Sequence, residues 1–226
     1  MQPLVIPNSM DKHRLQGPKQ AFDFILALPD QSQRQELERF ISDGFNKCYE
    51  ANVESFLPLL FGIKTKQLRA AVGVRRATEP LFLEQYLKSD VITTLRQLGM
   101  PADEYQIAEL GNLYSRSHRF TLPLIMTVVM GLYLKDVRYL VFSATEKVRE
   151  LLSGFGFPMT YLADADPMRL TERPNEWGSY YEQLPKVMAL DVEASVFIAH
   201  QTPELCDVLS IVHGHSKQLL SSLEAI

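Results

Sequence analysis

Residues 105–157 read YQIAELGNLYSRSHRFTLPLIMTVVMGLYLKDVRYLVFSATEKVRELLSGFGF, and the order of elements in this stretch decides the fold. Gln106 to Leu113 alternates as a strand, which puts Ile107, Glu109, Gly111 and Leu113 on one face. Leu122 to Leu134 is apolar all round and predicts a buried helix. Val137 to Phe142 is a strand with apolar residues on both faces, as a central strand requires. Thr145 to Gly154 is a second helix, closed by glycine. Strand, helix, strand and helix follow one another with short connections.

Working outward, Ser55 to Ile63 and Leu68 to Arg75 are two apolar runs joined by Lys64-Thr65-Lys66, a β-hairpin pattern. Pro58 places the first of these strands at an edge or at its own beginning. Ala21 to Leu26 reads as a strand. Ser32 and Gln35 fit a capping box before a helix whose stripe is Leu37, Phe40, Ile41, Phe45, Cys48 and Tyr49. Leu81 to Leu83 reads as extended, Asp90 to Leu98 as a short helix, and Thr160 to Leu162 as extended. Tyr180 and Tyr181 are expected to alternate in a strand. Pro203 opens a last helix with Leu205, Val208, Leu209, Val212, Leu219 and Leu223 on one stripe. The expectation is an α/β (α+β) protein with a mixed, mostly antiparallel central sheet flanked by helices. Residues 1–20 form an extended lead-in, 21–192 one domain, and 193–226 a C-terminal helical appendage.

Composition excludes some functions. The chain has 226 residues, 46% hydrophobic and 22% charged, with a net charge of -4, so it lacks the basic surface of a general nucleic-acid binder. Cys48 and Cys206 lie far apart without CxxC spacing and read as free, buried thiols. His213-Gly214-His215 sits in a helical stretch where i and i+2 point apart, so no metal site is expected. The longest uncharged stretch, Phe120 to Leu134, would span about 22 Å as a helix, short of the roughly 30 Å of a bilayer core. Membrane contact without crossing stays open. No basic segment followed by an apolar run opens the chain, so a cytoplasmic location is expected.

Thr145 to Phe157, with its Gly156-Phe157 end, resembles the GCN5-related N-acetyltransferase superfamily in spacing. Thr145 stands where that superfamily often has Asn, and Leu152 where it often has a thiolate-protonating Tyr. The resemblance implies an acetyltransferase-like fold. It also implies a donor bound against the exposed backbone of the Glu109 strand, near Leu110, Gly111 and Asn112, with phosphates at the following loop. That loop lacks the usual glycines but offers Arg116 and Arg119, with Ser115 and Ser117.

A wider resemblance covers residues 30 to 192. Pro80-Leu81-Phe82-Leu83-Glu84-Gln85-Tyr86-Leu87, Glu109-Leu110-Gly111-Asn112-Leu113, Phe142-Ser143-Ala144-Thr145 and Trp177-Gly178-Ser179-Tyr180-Tyr181 resemble the thermostable hemolysin family. That family is similar in layout to acyl-homoserine-lactone synthases. The resemblance implies Glu84, Glu109 and Tyr181 as catalytic candidates. It implies Leu110, Gly111, Asn112, Arg116, Arg119, Thr145 and Arg149 as donor-binding candidates, and Gln85, Tyr86, Trp177 and Tyr180 as acceptor-binding candidates.

Three functional readings follow. The first is an acyltransferase that moves an acyl group from coenzyme A or an acyl carrier protein to a small-molecule amine. It needs no tightly bound cofactor, and its candidate partners are the carrier protein and a second copy of the chain. The second is a membrane-active hemolysin without catalysis, and the third a protein of the same fold that only binds an acyl ligand.

Overall fold

A computed structural model describes residues 22–171 and 174–213. The lead-in over 1–20 lies outside them, as do His215, Leu219 and Leu223. Seven strands form one sheet in the order β1 (Asp23–Ala27), β2 (Leu59–Lys64), β3 (Leu68–Arg76), β4 (Ile107–Ser115), β5 (Tyr139–Ala144), β7 (Lys186–Asp191), β6 (Met159–Asp164). Every neighbouring pair is antiparallel except β4 and β5. This is the expected mixed, mostly antiparallel sheet. Six helices flank it: α1 (Arg34–Tyr49), α2 (Val91–Gln97), α3 (His118–Tyr133), α4 (Glu146–Gly154), α5 (Val192–Gln201) and α6 (Pro203–His213).

The parallel pair follows from the stretch 105–157. A strand, a helix and a second strand in sequence can lie parallel only if the helix crosses over one face of the sheet. α3 is that crossover. Every residue from Thr121 to Leu132 is buried, which is why this helix reads as apolar all round. One face of the sheet, with Leu59, Phe61, Val72 and Leu110, packs against α3 through Leu122, Ile125 and Val129. Val148 and Leu152 of α4, Val196 of α5, and Leu205 and Leu209 of α6 belong to the same core.

The other face carries two smaller cores. α1 covers Leu60, Leu68, Ala71 and Tyr114 with Leu37, Ile41 and Phe45. Leu83, Tyr86, Val91 and Leu95 cover Ile107, Val141 and Val187. The ground between these two cores holds the candidate site.

Several local expectations change. α1 starts from Gln33 with no side-chain cap, so Ser32 and Gln35 form no capping box. Its first residue, Arg34, is buried instead and donates to the carbonyls of Ala27, Leu57 and Pro58. Leu81 to Leu83 is not a strand, because the Glu84 carboxylate draws the chain into a 3₁₀ turn over Phe82–Tyr86. Leu113 leaves the Glu109 face: Asn112 has φ 54° and the β3–β4 register shifts there, so Leu113 joins Leu110 in the main core.

Tyr180 and Tyr181 lie in a 3₁₀ turn, Tyr180–Gln183, and β7 begins only at Lys186. The turn is set by Gly178, at φ 49°, whose Cα sits so close to the Tyr49 carbonyl that a Cβ would fall 1.8 Å from that oxygen. Both cysteines are exposed: Cys48 lies past Phe45, the last buried residue of the α1 stripe. Pro203 opens α6 as expected, and a further helix, α5, precedes it, with Thr202 extended between the two. No described helix is long and apolar enough to cross a membrane.

Candidate functional site

β4 and β5 pair from Ile107↔Tyr139 to Leu110↔Phe142 and no further, although β4 runs to Ser115 and β5 to Ala144. The two central strands therefore part at Gly111. Asn112 holds β4 in its diverging path. Its side chain is fully buried, its Oδ1 accepts from the Leu57 N–H at 2.9 Å, and its Nδ2 donates to the Ser55 carbonyl at 3.3 Å. The left-handed backbone of Asn112 suits a residue whose short amide tolerates positive φ. Gly73 of β3 faces it so closely that a Cβ would lie 2.8 Å from Asn112 Oδ1.

Glu109 stands just before the parting, 1% exposed. A carboxylate buried this deeply needs partners, and it has two. Arg75 of β3, its cross-strand neighbour, donates from Nε to Oε2 at 2.7 Å, and the Leu83 N–H donates to Oε1 at 3.2 Å. The 3₁₀ turn that supplies Leu83 is held by Glu84, whose carboxylate accepts from the N–H groups of Leu81 and Val91. Glu84 thus spends both oxygens on backbone, while Glu109 keeps a side chain partner. Gln85 faces away and accepts from the Thr171 N–H and hydroxyl.

Five aromatic side chains roof this ground. The hydroxyls of Tyr86 and Tyr181 lie 2.6 Å apart. Tyr180 packs edge-on to Tyr181 at 5.2 Å and to Tyr49 at 5.5 Å, and Trp177 lies 6.2 Å from Tyr180. The Ser179 N–H donates to the Tyr49 carbonyl and the Asn52 N–H to the Glu176 carbonyl, which staples the aromatic segment to the end of α1. Burial pushes the Tyr181 phenol up to about 12 against the lowering effect of its bond to Tyr86. It pushes Tyr49 up to about 12 as well. Tyr86 is driven far higher by burial, with the nearby Tyr181 adding to the rise. All of these phenols are protonated donors near neutral pH.

The donor-binding candidates fall into two groups. Thr145 is buried at the start of α4, and its carbonyl accepts the Arg149 N–H. Arg149 reaches back to the Ala144 carbonyl at 2.7 Å, and its charge acts on Tyr180. Arg116 and Arg119 lie apart from them, exposed around the start of α3. Arg116 stacks over Phe40 and donates to Gln67, and Ser117 caps the helix by accepting from the Arg119 N–H. The two arginines give a positive rim just past the end of β4.

The fold thus brings Glu109, Tyr86, Trp177, Tyr180, Tyr181, Thr145 and Arg149 to the ground beside the parting strands. It uses Glu84, Gln85 and Asn112 as backbone ties, and sets Arg116 and Arg119 at the rim. Sequence reasoning missed Arg75, Tyr49, Ser143 and Arg169. Ser143 had a signal, a hydroxyl inside the buried run Tyr139–Ala144. Arg169 donates to the carbonyl of Tyr86, and with Lys88, Asp164 and Asp166 it lines a cavity of about 470 Å³ that reaches Tyr86.

Comparison with known proteins bears on the family and the fold. The sequence profile of a family described as thermostable hemolysin matches residues 27–196. No curated protein sequence matches the chain. Among solved structures, the acyl-homoserine-lactone synthase LasI superposes with a TM-score of 0.52 at 13% identity, over 76% of this chain and 91% of its own. FeeM, an N-acyl amino acid synthase from uncultured soil microbes, gives 0.52 at 13% identity, over 81% and 97%. BjaI, a coenzyme A-dependent acyl-homoserine-lactone synthase solved with SAM and isopentyl-CoA, gives 0.52 at 12% identity, over 79% and 87%. At these identities the likeness is one of fold.

Proposed function

The chain belongs to the thermostable hemolysin family, and from that premise we propose that it is an acyltransferase, moving an acyl group from a thioester donor to a small-molecule amine. The observation that carries this reading is the parting of β4 and β5 after Leu110↔Phe142, beside a buried, paired carboxylate and a group of protonated phenols. Parted central strands offer backbone donors and acceptors to a linear ligand laid between them. The solved structures of the same fold include enzymes that make N-acyl products.

In the proposed reaction the amine nitrogen attacks the thioester carbonyl carbon, the C–N bond forms and the C–S bond breaks. The nitrogen gives up a proton and the departing sulfur gains one, so the reaction needs no outside oxidant, reductant or cofactor. Glu109 accepts the proton from nitrogen, directly or through one water, and Arg75 keeps its carboxylate in place. Tyr181, backed by Tyr86, donates toward the sulfur in place of the tyrosine that Leu152 replaces. Backbone N–H groups near Leu110 and Gly111 polarise the carbonyl. Arg116 and Arg119 hold the donor's phosphates, on coenzyme A or on the prosthetic arm of an acyl carrier protein. Trp177 and Tyr180 wall the acceptor side, and Glu84 holds the turn that presents Tyr86.

The test is a calorimetric titration with coenzyme A, long-chain acyl-coenzyme A and acyl carrier protein, followed by thiol release in the presence of amines. Binding of at least one donor, weakened by Arg116→Ala with a smaller salt dependence, is expected. Failure of all three donors to bind would remove the acyltransferase reading. Hemolysis that survives Glu109→Gln and Arg116→Ala would point to direct action on membranes.

A further inference from the structure

Among the described residues, two buried side-chain polar atoms have no hydrogen-bond partner: the Ser143 hydroxyl and the Tyr180 hydroxyl. Ser143 is fully buried and Tyr180 is 2% exposed. Buried hydroxyls cost stability when unpaired, so a native protein keeps few of them and usually for a reason. Ser143 follows Tyr139 and Val141 on the face of β5 that carries the site, and Tyr180 packs beside Tyr181 over that face. Ser143 sits one residue beyond Phe142, the last residue of β5 paired with β4. Its hydroxyl lies close enough to the Tyr180 oxygen to lower that phenol's pKa, though the geometry falls short of a hydrogen bond.

We infer that Ser143 and Tyr180 form a two-donor site for the carbonyl oxygen of the acyl thioester, beside the parting of β4 and β5. This rests on the acyl-transfer reading and goes beyond it by naming the atoms that hold the reacting carbonyl. Each hydroxyl has one hydrogen to donate, and the oxygen that turns negative as the amine adds has three lone pairs, enough to accept from both beside a backbone N–H near Leu110 or Gly111. Two uncharged donors in a dry site suit an oxygen that becomes negative as the amine adds, because they need no reorganisation when charge develops. Burial keeps the Tyr180 proton in place well above neutral pH, so the phenol donates and does not ionise. Arg149, anchored on the Ala144 carbonyl, adds a positive charge nearby.

The test compares acetyl-, octanoyl- and palmitoyl-coenzyme A with the matching alkyl thioethers, which lack only the carbonyl oxygen. Each is titrated into the wild type, Ser143→Ala and Tyr180→Phe. The wild type is expected to bind its preferred thioester about tenfold more tightly than the thioether, and each variant to bring the two toward parity. Coenzyme A itself should bind all three proteins alike. Melting temperatures of the variants should equal or exceed the wild type, since no hydrogen bond within the protein is lost. An unchanged thioester preference in both variants overturns the inference and leaves the acyltransferase reading standing. A wild type that binds neither thioester nor thioether overturns the inference, and the acyltransferase reading falls with it if acyl carrier protein also fails to bind. A drop of more than about 5 °C in both variants also overturns the inference, because the hydroxyls would then hold the fold itself.

Discussion

The hydroxyl of Tyr86 lies 2.6 Å from the hydroxyl of Tyr181, joining a 3₁₀ turn after β3 to the turn before β7. Each phenol is the other's partner in a place where burial would leave either one costly alone. Glu109 lies behind Tyr86 closely enough for its charge to raise that phenol.

Breaking this pair from one side should cost more than removing it. Tyr181→Phe leaves the Tyr86 hydroxyl, in a residue 1% exposed, without its partner, and should destabilise by about 1–3 kcal/mol. Tyr86→Phe combined with Tyr181→Phe should lose less than the sum of the two single changes. Urea unfolding of all three variants gives the coupling. Strict additivity would show that the short contact contributes nothing.

Glu109→Gln should strike both stability and activity. The change removes the charge that pairs with Arg75, whose side chain is 21% exposed. The expected loss is about 2–4 kcal/mol, toward the lower end because Arg75 can turn to water. Turnover should fall at least tenfold beyond what the lost folded fraction explains. Arg75→Met with Glu109→Met should restore most of the stability and none of the turnover. Activity that returns with stability would assign Glu109 to structure alone.

The phenols set an alkaline limit. Tyr49 and Tyr181 are pushed up to about 12 in the folded protein, against 10 when unfolded. Between these values the unfolded chain loses protons that the native state keeps. Stability is therefore at its full value below pH 10 and should fall as pH rises toward about 12. Denaturant midpoints measured from pH 8 to 11.5 should show that fall, and Tyr181→Phe should make it shallower. A flat profile would contradict the burial of these hydroxyls.

Asn112 can be separated into backbone and side-chain parts. Asn112→Ala loses the bonds to Leu57 and Ser55 and also forces a Cβ residue without a helpful amide to keep φ at 54°. About 2–4 kcal/mol of destabilisation is expected. Asn112→Gly loses the same bonds but relieves the backbone, and should recover roughly 1 kcal/mol of that. Equal effects of the two changes would mean that the left-handed bulge carries no strain.

Much of the fold was legible because it is local. The alternation of Gln106 to Gly111, the all-round apolarity of α3 and the Gly156 turn after α4 each follow from backbone period or φ preference within one segment. Order and connection length then leave a parallel β4–β5 pair as the natural outcome. The capping box at Ser32 failed because Arg34 found carbonyls at Leu57 and Pro58, far along the chain. No local rule contains that competition. The strand expected at Tyr180 and Tyr181 failed likewise, because Gly178 docks on the Tyr49 carbonyl.

By itself, then, the sequence determined the central strand–helix–strand–helix unit and the family to which it belongs. Hydrophobic period and turn residues act on neighbours in the chain, and those are on the page in any sequence. Tertiary structure alone decided which polar groups meet. It spent Glu84 on backbone amides, paired Glu109 with Arg75 and Tyr86 with Tyr181, and left the buried hydroxyls of Ser143 and Tyr180 without a hydrogen-bond partner. Those outcomes depend on where separate segments pack and where β4 leaves β5, a balance of burial and hydrogen bonding across the whole sheet.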